Sequence, residues 1–345
     1  MTATSAPPVL RLRVADKRVL SRSAVSVDLV PELTTELTDY RPGQFLTLLV
    51  PHGDGAHVER SYSLSSSPDV DARMSITVAR VPGGRGSSWI HDDLGPEDVV
   101  QARPPAGRFV PRCLDESVVM VAAGTGIAPV FSIIKSVLAA GRGRVDLLHL
   151  ARDAEHLYFR SELAALAQAH PDRLTVTAWL SGAQGRLTEA HLREQLAPHT
   201  SRRLFVCGPV SLMSRVVSVA TSLGYPPGRI STEEFVAQGA GAPTVPGERG
   251  DASVLSATYG GTRYTVASAV GERVLDALLA AGVPAPFSCR AGICSACRCT
   301  VVRGEVTMLR DDGLDEEERA AGYHLACQSV VLGGDVHVDF DAQAP

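Results

Sequence analysis

No run of apolar residues in this 345-residue chain approaches the roughly 18 that a membrane-spanning helix requires. A membrane protein is therefore not expected. The stretch from Met1 to Pro8 is small and polar, with no basic segment leading into an apolar one, so no signal peptide is expected either. Basic patches interleaved with aromatic residues are missing, and with them the electrostatic footprint of nucleic-acid binding. The ten histidines form no H-E-x-x-H or other paired arrangement, and no G-x-S-x-G element occurs, so hydrolase chemistry has no support. No internal repeat is visible. Seven cysteines in a chain of this length are not the disulfide framework of a short secreted module.

The length predicts two or three domains, and a hydrophobic fraction of 45% lets each bury a core. The net charge of −5 is uneven. From Asp251 to Pro345 there are 13 acidic and 7 basic residues, which places the whole acidic excess in this last part. Such a surface can dock on a basic partner, or can simply be a solvated face, as for Asp311, Asp312, Asp315, Glu316, Glu317 and Glu318.

That same region holds the most informative residues. Cys289, Cys294 and Cys297 read C-x4-C-x2-C, and Cys327 follows after a long gap. This is the thiolate spacing of a plant-type [2Fe–2S] cluster, whose fourth ligand arrives from a distant segment. A tight loop lets three sulfurs converge, and Gly292 suits backbone that must pass close to an inorganic core. A structural zinc site is the alternative, but it usually pairs its cysteines in C-x2-C knuckles and Cys327 has no such partner. Cys299 reads as a buried small hydrophobe at the start of a strand. His324, three residues before Cys327, could suggest a Rieske-type ligand, but such centres need two histidines. It reads as a surface residue or as one packed behind the ligands. A cluster needs reduced thiols, so a cytoplasmic location is expected.

Along the chain, Phe45–Val50 and Met74–Val78 are short apolar strands separated by turn residues, the texture of a small antiparallel β-barrel. From Ser117 the pattern changes. A continuous apolar strand, Val118–Ala123, leads through a glycine turn into a helix at Ala128–Ala140 and a second strand at Val145–Leu150. Strands at Leu174–Trp179 and Leu204–Cys207 continue the alternation, which predicts a parallel sheet. Residues 236–252 read as a Gly/Ala/Pro linker. A hairpin turning at Gly260-Gly261 and a helix at Arg273–Ala281 ending on Gly282 follow. The expected boundaries are 9–112, 113–235, 236–252 and 253–345.

Several short elements occur in a fixed order. Arg60-Ser61-Tyr62-Ser63-Leu64-Ser65-Ser66 is preceded by Pro42-Gly43-Gln44 and followed by Gly83-Gly84-Arg85-Gly86-Ser87-Ser88 and Pro105-Ala106-Gly107-Arg108-Phe109. Gly124-Thr125-Gly126-Ile127-Ala128-Pro129 opens the first helix of the second region, and Cys207-Gly208-Pro209 follows a later strand. Together they resemble the ferredoxin-NADP reductase superfamily. The whole chain is similar to its fused members that serve bacterial oxygenases, of the phenylacetyl-CoA epoxidase reductase and 3-ketosteroid 9α-hydroxylase reductase type.

The resemblance implies a multidomain fold: an antiparallel β-barrel flavin domain, an α/β parallel-sheet nucleotide domain, and an α+β (β-grasp) ferredoxin domain. It implies that Arg60 gives the flavin phosphate a charge-assisted fork, Tyr62 stacks on the ring system and Ser63 faces flavin N5. Gly83, Gly84, Ser87 and Ser88 are implied to cradle the phosphates, and FAD is favoured over FMN. Gly124, Thr125 and Gly126 offer backbone N–H groups at a helix N-terminus to a pyrophosphate. Cys207, Gly208 and Pro209 are implied near the nicotinamide, with Thr125 and Cys207 orienting it, and Phe235 covers the flavin or anchors the linker. Cys289, Cys294, Cys297 and Cys327 are the implied metal ligands. NADH and NADPH both remain open: Arg152 and Arg186 could each pair with a 2′-phosphate, but Asp153 would repel one. The implied function is electron transfer from NAD(P)H through FAD and the cluster to a protein acceptor, an oxygenase component first. A self-contained oxidase or diaphorase and a [2Fe–2S] redox sensor are the alternatives.

Overall fold

The computed structural model describes residues 9–33, 39–53, 56–233, 252–283, 285–287, 290, 292, 295–311, 313–314 and 316–341. The expected linker, except for Ala252, and the candidate residues Phe235, Cys289 and Cys294 lie outside the described residues.

The first region contains β1 (Leu10–Ser21), β2 (Ala24–Pro31), β3 (Phe45–His52), β4 (Ala56–Ser63), β5 (Met74–Ala79), α1 (Arg85–Asp92) and β6 (Val99–Ala106). The strands form one sheet in the order β4-β3-β6-β1-β2-β5. An isolated bridge between Leu64, just past β4, and Ile76 of β5 brings the two edges of the sheet together at one point. Inward-facing Leu12, Val14, Val27, Leu46, Leu48 and Ile76 fill the interior. Helix α1 was not expected: the glycine–serine stretch reads as a turn, yet it continues for two turns and buries Ile90.

The second region contains β7 (Val118–Ala123), α2 (Ile127–Ala140), β8 (Val145–Ala151), α3 (Arg160–Ala169), β9 (Leu174–Leu180), α4 (Ser181–Gln184), α5 (Glu189–Leu196), β10 (Arg203–Cys207), α6 (Val210–Ser222) and β11 (Ile230–Glu233). Its sheet is parallel, in the order β11-β10-β7-β8-β9. The unbroken apolar run of β7 has a physical cause. Val118, Met120 and Ala122 face the core that contains α2, while Val119 and Val121 face the core that contains α5 and α6. The strand order reverses between β7 and β10, and in open parallel sheets ligands bind at the strand ends beside that reversal.

The C-terminal region contains β12 (Ala252–Tyr259), β13 (Thr262–Ala269), α7 (Val274–Ala280), β14 (Arg298–Met308), α8 (Glu316–Ala320), β15 (Tyr323–Leu325) and β16 (Ser329–Asp339). The sheet is mixed, in the order β13-β12-β16-β14-β15, with β12 and β16 parallel. Gly260 and Gly261 take φ of +59° and +70°, the double positive φ that a tight two-residue hairpin demands. Val274, Leu275 and Leu278 of α7 pack on Leu255, Ala257, Val336 and Val338 of the sheet.

Candidate functional site

Arg60, Tyr62 and Ser63 sit within β4, paired with Leu48, Leu46 and Phe45 of β3. Alternation along the strand separates Ser63, which is 2% exposed, from the neighbouring Tyr62. The Ser63 hydroxyl donates to Glu233 Oε2 at 2.8 Å, and Glu233 is itself buried at the end of β11. The Tyr62 phenol is pushed up to about 12 by burial, so the ring is neutral. Among the described residues the Arg60 guanidinium donates to the Glu59 carbonyl at 2.7 Å and to no carboxylate, which leaves most of its donors for an anion.

The glycine–serine turn faces this strand. A Cβ on Gly86 would lie 2.6 Å from the Tyr62 hydroxyl and 2.8 Å from Arg60 Cγ, so only glycine lets α1 approach β4 this closely. Gly84 caps α1 without any side-chain hydrogen bond, and the first N–H groups of the helix have no side-chain cap to satisfy them. Gly83 takes φ of +69° at the turn. Ser87 is committed to the turn itself: its hydroxyl accepts from Val81 N–H at 3.0 Å and donates to Gly84 O at 3.1 Å. Ser88 stays half-buried in the first turn of the helix. The sequence did not single out Gly86 as a site residue; its signal was the G-x-S spacing after Arg85.

The serines that follow Ser63 have another task. Ser66 Oγ accepts from the Tyr40 hydroxyl at 2.7 Å and from Ser75 N–H at 2.9 Å. Ser67 Oγ meets Ser136 Oγ of α2 at 2.7 Å, Ser132 Oγ donates to Ser66 O, and Lys135 pairs with Asp71. Gly43 N–H donates to Ser132 Oγ at 3.3 Å. This buried network fastens the exit of β4 to the first helix of the nucleotide region, beside the turn that the pyrophosphate motif opens.

Gly124, Thr125 and Gly126 form a single 3₁₀ turn at the β7 end, and α2 starts on Gly126 with no side-chain cap. Gly208 and Pro209 follow β10, and α6 likewise begins on Pro209 without one. The two turns touch. A Cβ on Gly126 would stand 2.3 Å from the Cys207 carbonyl oxygen and 2.9 Å from Gly208 N. Two uncapped helix N-termini thus converge at the strand-order reversal, which suits the phosphates of a dinucleotide. Cys207 is fully buried, in register with Ala122 on one side and Glu233 on the other. Burial, then the Glu233 charge, pushes its thiol well up. The group is an uncharged thiol and not a nucleophilic thiolate.

Arg152 lies at the end of β8 in a closed cluster. Its Nε donates to Asp153 Oδ2 at 3.3 Å and its Nη2 to His156 Nε2 at 2.9 Å. Arginine only donates, so Nε2 accepts and His156 carries its proton on Nδ1, given to Asp153 Oδ1 at 2.6 Å. The His156 hydrogen bond holds the Asp153 carboxyl at about 2. Arg186 is exposed in the turn after α4.

In the C-terminal region Cys297 and Cys327 are both 2% exposed, and Cys327 N–H donates to Cys297 Sγ at 3.5 Å. Arg290 and Ser295 take φ of +53° and +58°, and Gly292 +78°. Two buried cysteines, the sulfur of one receiving the backbone N–H of the other, fit a thiolate-held cluster. Cys299 lies in the core on β14, its thiol pushed up to about 12 by burial. His324, half-buried on β15, places Nδ1 3.0 Å from Gly322 O.

These features define a class: a reductase with a flavin barrel and a dinucleotide-binding sheet, fused to an iron–sulfur module. The comparisons agree. Residues 11–110 match an oxidoreductase FAD-binding domain, 120–218 an oxidoreductase NAD-binding domain and 257–332 a 2Fe-2S iron-sulfur cluster binding domain. The ferredoxin reductase component of 3-ketosteroid-9-alpha-monooxygenase from Rhodococcus rhodochrous is 36% identical over 93% of this chain and 95% of its own. A subunit of 1,2-phenylacetyl-CoA epoxidase from Escherichia coli K12 is 31% identical over 96% and 98%. Phthalate dioxygenase reductase, described as a modular structure for electron transfer from pyridine nucleotides to [2Fe–2S], superposes with a TM-score of 0.62 at 25% identity over 97% of this chain and all of that one. The chain belongs to the fused flavin and nucleotide reductases of the ferredoxin-NADP reductase superfamily that carry a C-terminal plant-type [2Fe–2S] ferredoxin domain. It is an NAD(P)H-dependent flavin iron–sulfur oxidoreductase. Among the described residues no helix is long and apolar enough to cross a membrane.

Proposed function

We propose that the chain is the reductase component of an oxygenase system, delivering electrons from NAD(P)H to a partner oxygenase. The observation that carries this is the union in one chain of a flavin-and-dinucleotide site with a cluster module of the kind that hands on single electrons. The relatives named above are themselves a reductase component of a monooxygenase and a subunit of an epoxidase. When bound, FAD supplies the conversion of a two-electron hydride into single electrons, and the cluster supplies their transfer onward.

The residues of this chain bind and orient. Arg60, Gly83, Gly84, Ser88 and the uncapped first turn of α1 hold the flavin phosphates, and Tyr62 gives the ring system a neutral aromatic face. Ser63, fixed by Glu233, sets a hydroxyl and a buried carboxylate where water is excluded, a pair able to hold or move a proton. Gly124, Thr125, Gly126, Gly208 and Pro209 receive the dinucleotide at the two helix starts. The neutral Cys207 thiol would add no charge of its own beside Glu233 where the nicotinamide is received at the end of β10. Cys289, Cys294, Cys297 and Cys327 hold the cluster.

The test is Cys327→Ser, which removes one cluster ligand and leaves the flavin site untouched. Reduction of a small dye by NAD(P)H is expected to persist, while reduction of a one-electron protein acceptor falls by at least about tenfold. Equal rates with the protein acceptor before and after the substitution would favour a self-contained diaphorase. Failure of wild-type protein to turn over with any acceptor would favour a sensor.

A further inference from the structure

Gln328 stands where the three-cysteine loop meets the fourth cysteine, and it is only 5% exposed. Its backbone is fixed on both sides: the N–H donates to Leu325 O at 2.8 Å, and the carbonyl accepts from Leu309 N–H at 3.0 Å. The side-chain Nε2 reaches the Arg290 carbonyl at 3.1 Å and Cys327 Sγ at 3.6 Å. A carbonyl oxygen only accepts, so the NH₂ end of the amide must face it, and its two N–H groups can serve the two acceptors at once. The loop is shaped to admit this side chain. Gly292 takes φ of +78°, and a Cβ there would sit 2.7 Å from Gln328 Cγ. The same glycine's carbonyl accepts from Gly313 N–H at 2.7 Å, which holds the loop from its other side.

A buried primary amide would ordinarily fill its needs on backbone alone. Here one of its hydrogen bonds joins the ligand loop to the segment that carries the last ligand, and the other ends on a ligand sulfur. Reduction of a thiolate-held cluster adds one negative charge, and an N–H aimed at a ligand sulfur stabilises the reduced form more than the oxidised one.

We propose that Gln328 positions the cluster and sets its reduction potential: the side-chain amide ties Arg290 of the ligand loop to Cys327 and donates an N–H to that cysteine's sulfur. This rests on Cys327 being a ligand. Gln328 touches no substrate and acts through Cys327.

The experiment uses full-length, cofactor-loaded protein with Gln328→Leu and Gln328→Met, which keep a comparable volume and remove both donors. Iron and sulfide content and the visible spectrum report whether the cluster is held. A mediated redox titration, followed by the electron paramagnetic resonance signal of the reduced cluster, reports its midpoint, with the flavin midpoint read in the same sample. The expected result is a loaded cluster that is harder to reduce by about tenfold in its equilibrium, or about 59 mV for a one-electron couple, with the flavin midpoint unmoved. An unchanged cluster midpoint in either loaded variant overturns the proposal. Loss of the cluster from both variants also overturns it, since Gln328 would then serve assembly alone. Full iron and sulfide in Cys327→Ser would instead remove the ligand assignment, a failure distinct from that of Gln328.

Discussion

Ser63 and Glu233 come from strands 170 positions apart, and their 2.8 Å hydrogen bond joins the flavin barrel to the nucleotide sheet at the proposed reaction centre. Removing the hydroxyl takes away one donor to a buried carboxylate without changing the phosphate contacts. Ser63→Ala is expected to slow flavin reduction by NAD(P)H by about a hundredfold, measured by stopped-flow bleaching, with FAD still bound. Unchanged kinetics would take Ser63 out of the mechanism. His149 makes a different prediction. It is buried on β8, neither ring nitrogen has a hydrogen-bond partner among the described residues, and burial lowers its pKa to about 4. Above pH 6.5 the ring is neutral both folded and unfolded, and no pH-dependent cost arises. As pH falls from 6.5 to 4 the unfolded chain takes up a proton that the folded one refuses, so stability drops by about 3 kcal/mol. Thermal melts of His149→Leu should lose that part of the acid slope; parallel slopes for the two proteins would refute it. Nothing in the sequence marked His149, because a histidine in an apolar strand gives no sign of whether its nitrogens find partners.

The elements carry the glycines that bring these residues together. Helix α1 can lie against β4 only because Gly86 has no side chain. Gly86→Ala is expected to push the Tyr62 hydroxyl and Arg60 aside and to reduce FAD occupancy of purified protein severalfold, read from the ratio of flavin to protein absorbance, while the apoprotein loses about 1–3 kcal/mol of stability. Full occupancy would mean that α1 shifts freely and does not position the flavin residues. The sequence exposed those elements whose pattern is set by local physics. The two-faced apolar run of β7, the Gly260-Gly261 hairpin and the amphipathic α7 were readable because their periodicity and turn chemistry are written within a few residues. Helix α1 was hidden by a start of glycine and serine that favours turns, and its two turns are too short for a clear period. The Ser65–Ser67 segment runs on from the flavin motif in the sequence, but its buried hydroxyls bind Tyr40, Ser75, Thr77 and α2; such long-range pairings leave no trace in local sequence. Arg152 illustrates the same gap. Its cluster with Asp153 and His156 depends on a 3₁₀ turn that the chain forms only after β8 ends.

At the scale of the whole molecule, the cluster module is last both along the chain and in the electron path, whereas the first two regions run flavin then dinucleotide in sequence and dinucleotide then flavin in the path. The acidic excess of the last region suits a partner with a basic surface, and electrostatic steering of that kind weakens as salt rises. Electron transfer to the proposed oxygenase partner should therefore slow with added salt, while dye reduction at the flavin should change little; equal salt dependence of the two would argue against docking through this region. The most direct measurement is an anaerobic titration of the loaded protein with NADH and, separately, with NADPH, following flavin absorbance and the low-temperature electron paramagnetic resonance spectrum. Flavin bleaching followed by the signal of a reduced [2Fe–2S] cluster is the predicted result, and the faster donor identifies the nucleotide. Bleaching with no cluster signal, in protein shown to hold iron and sulfide, would contradict the electron path on which the account rests.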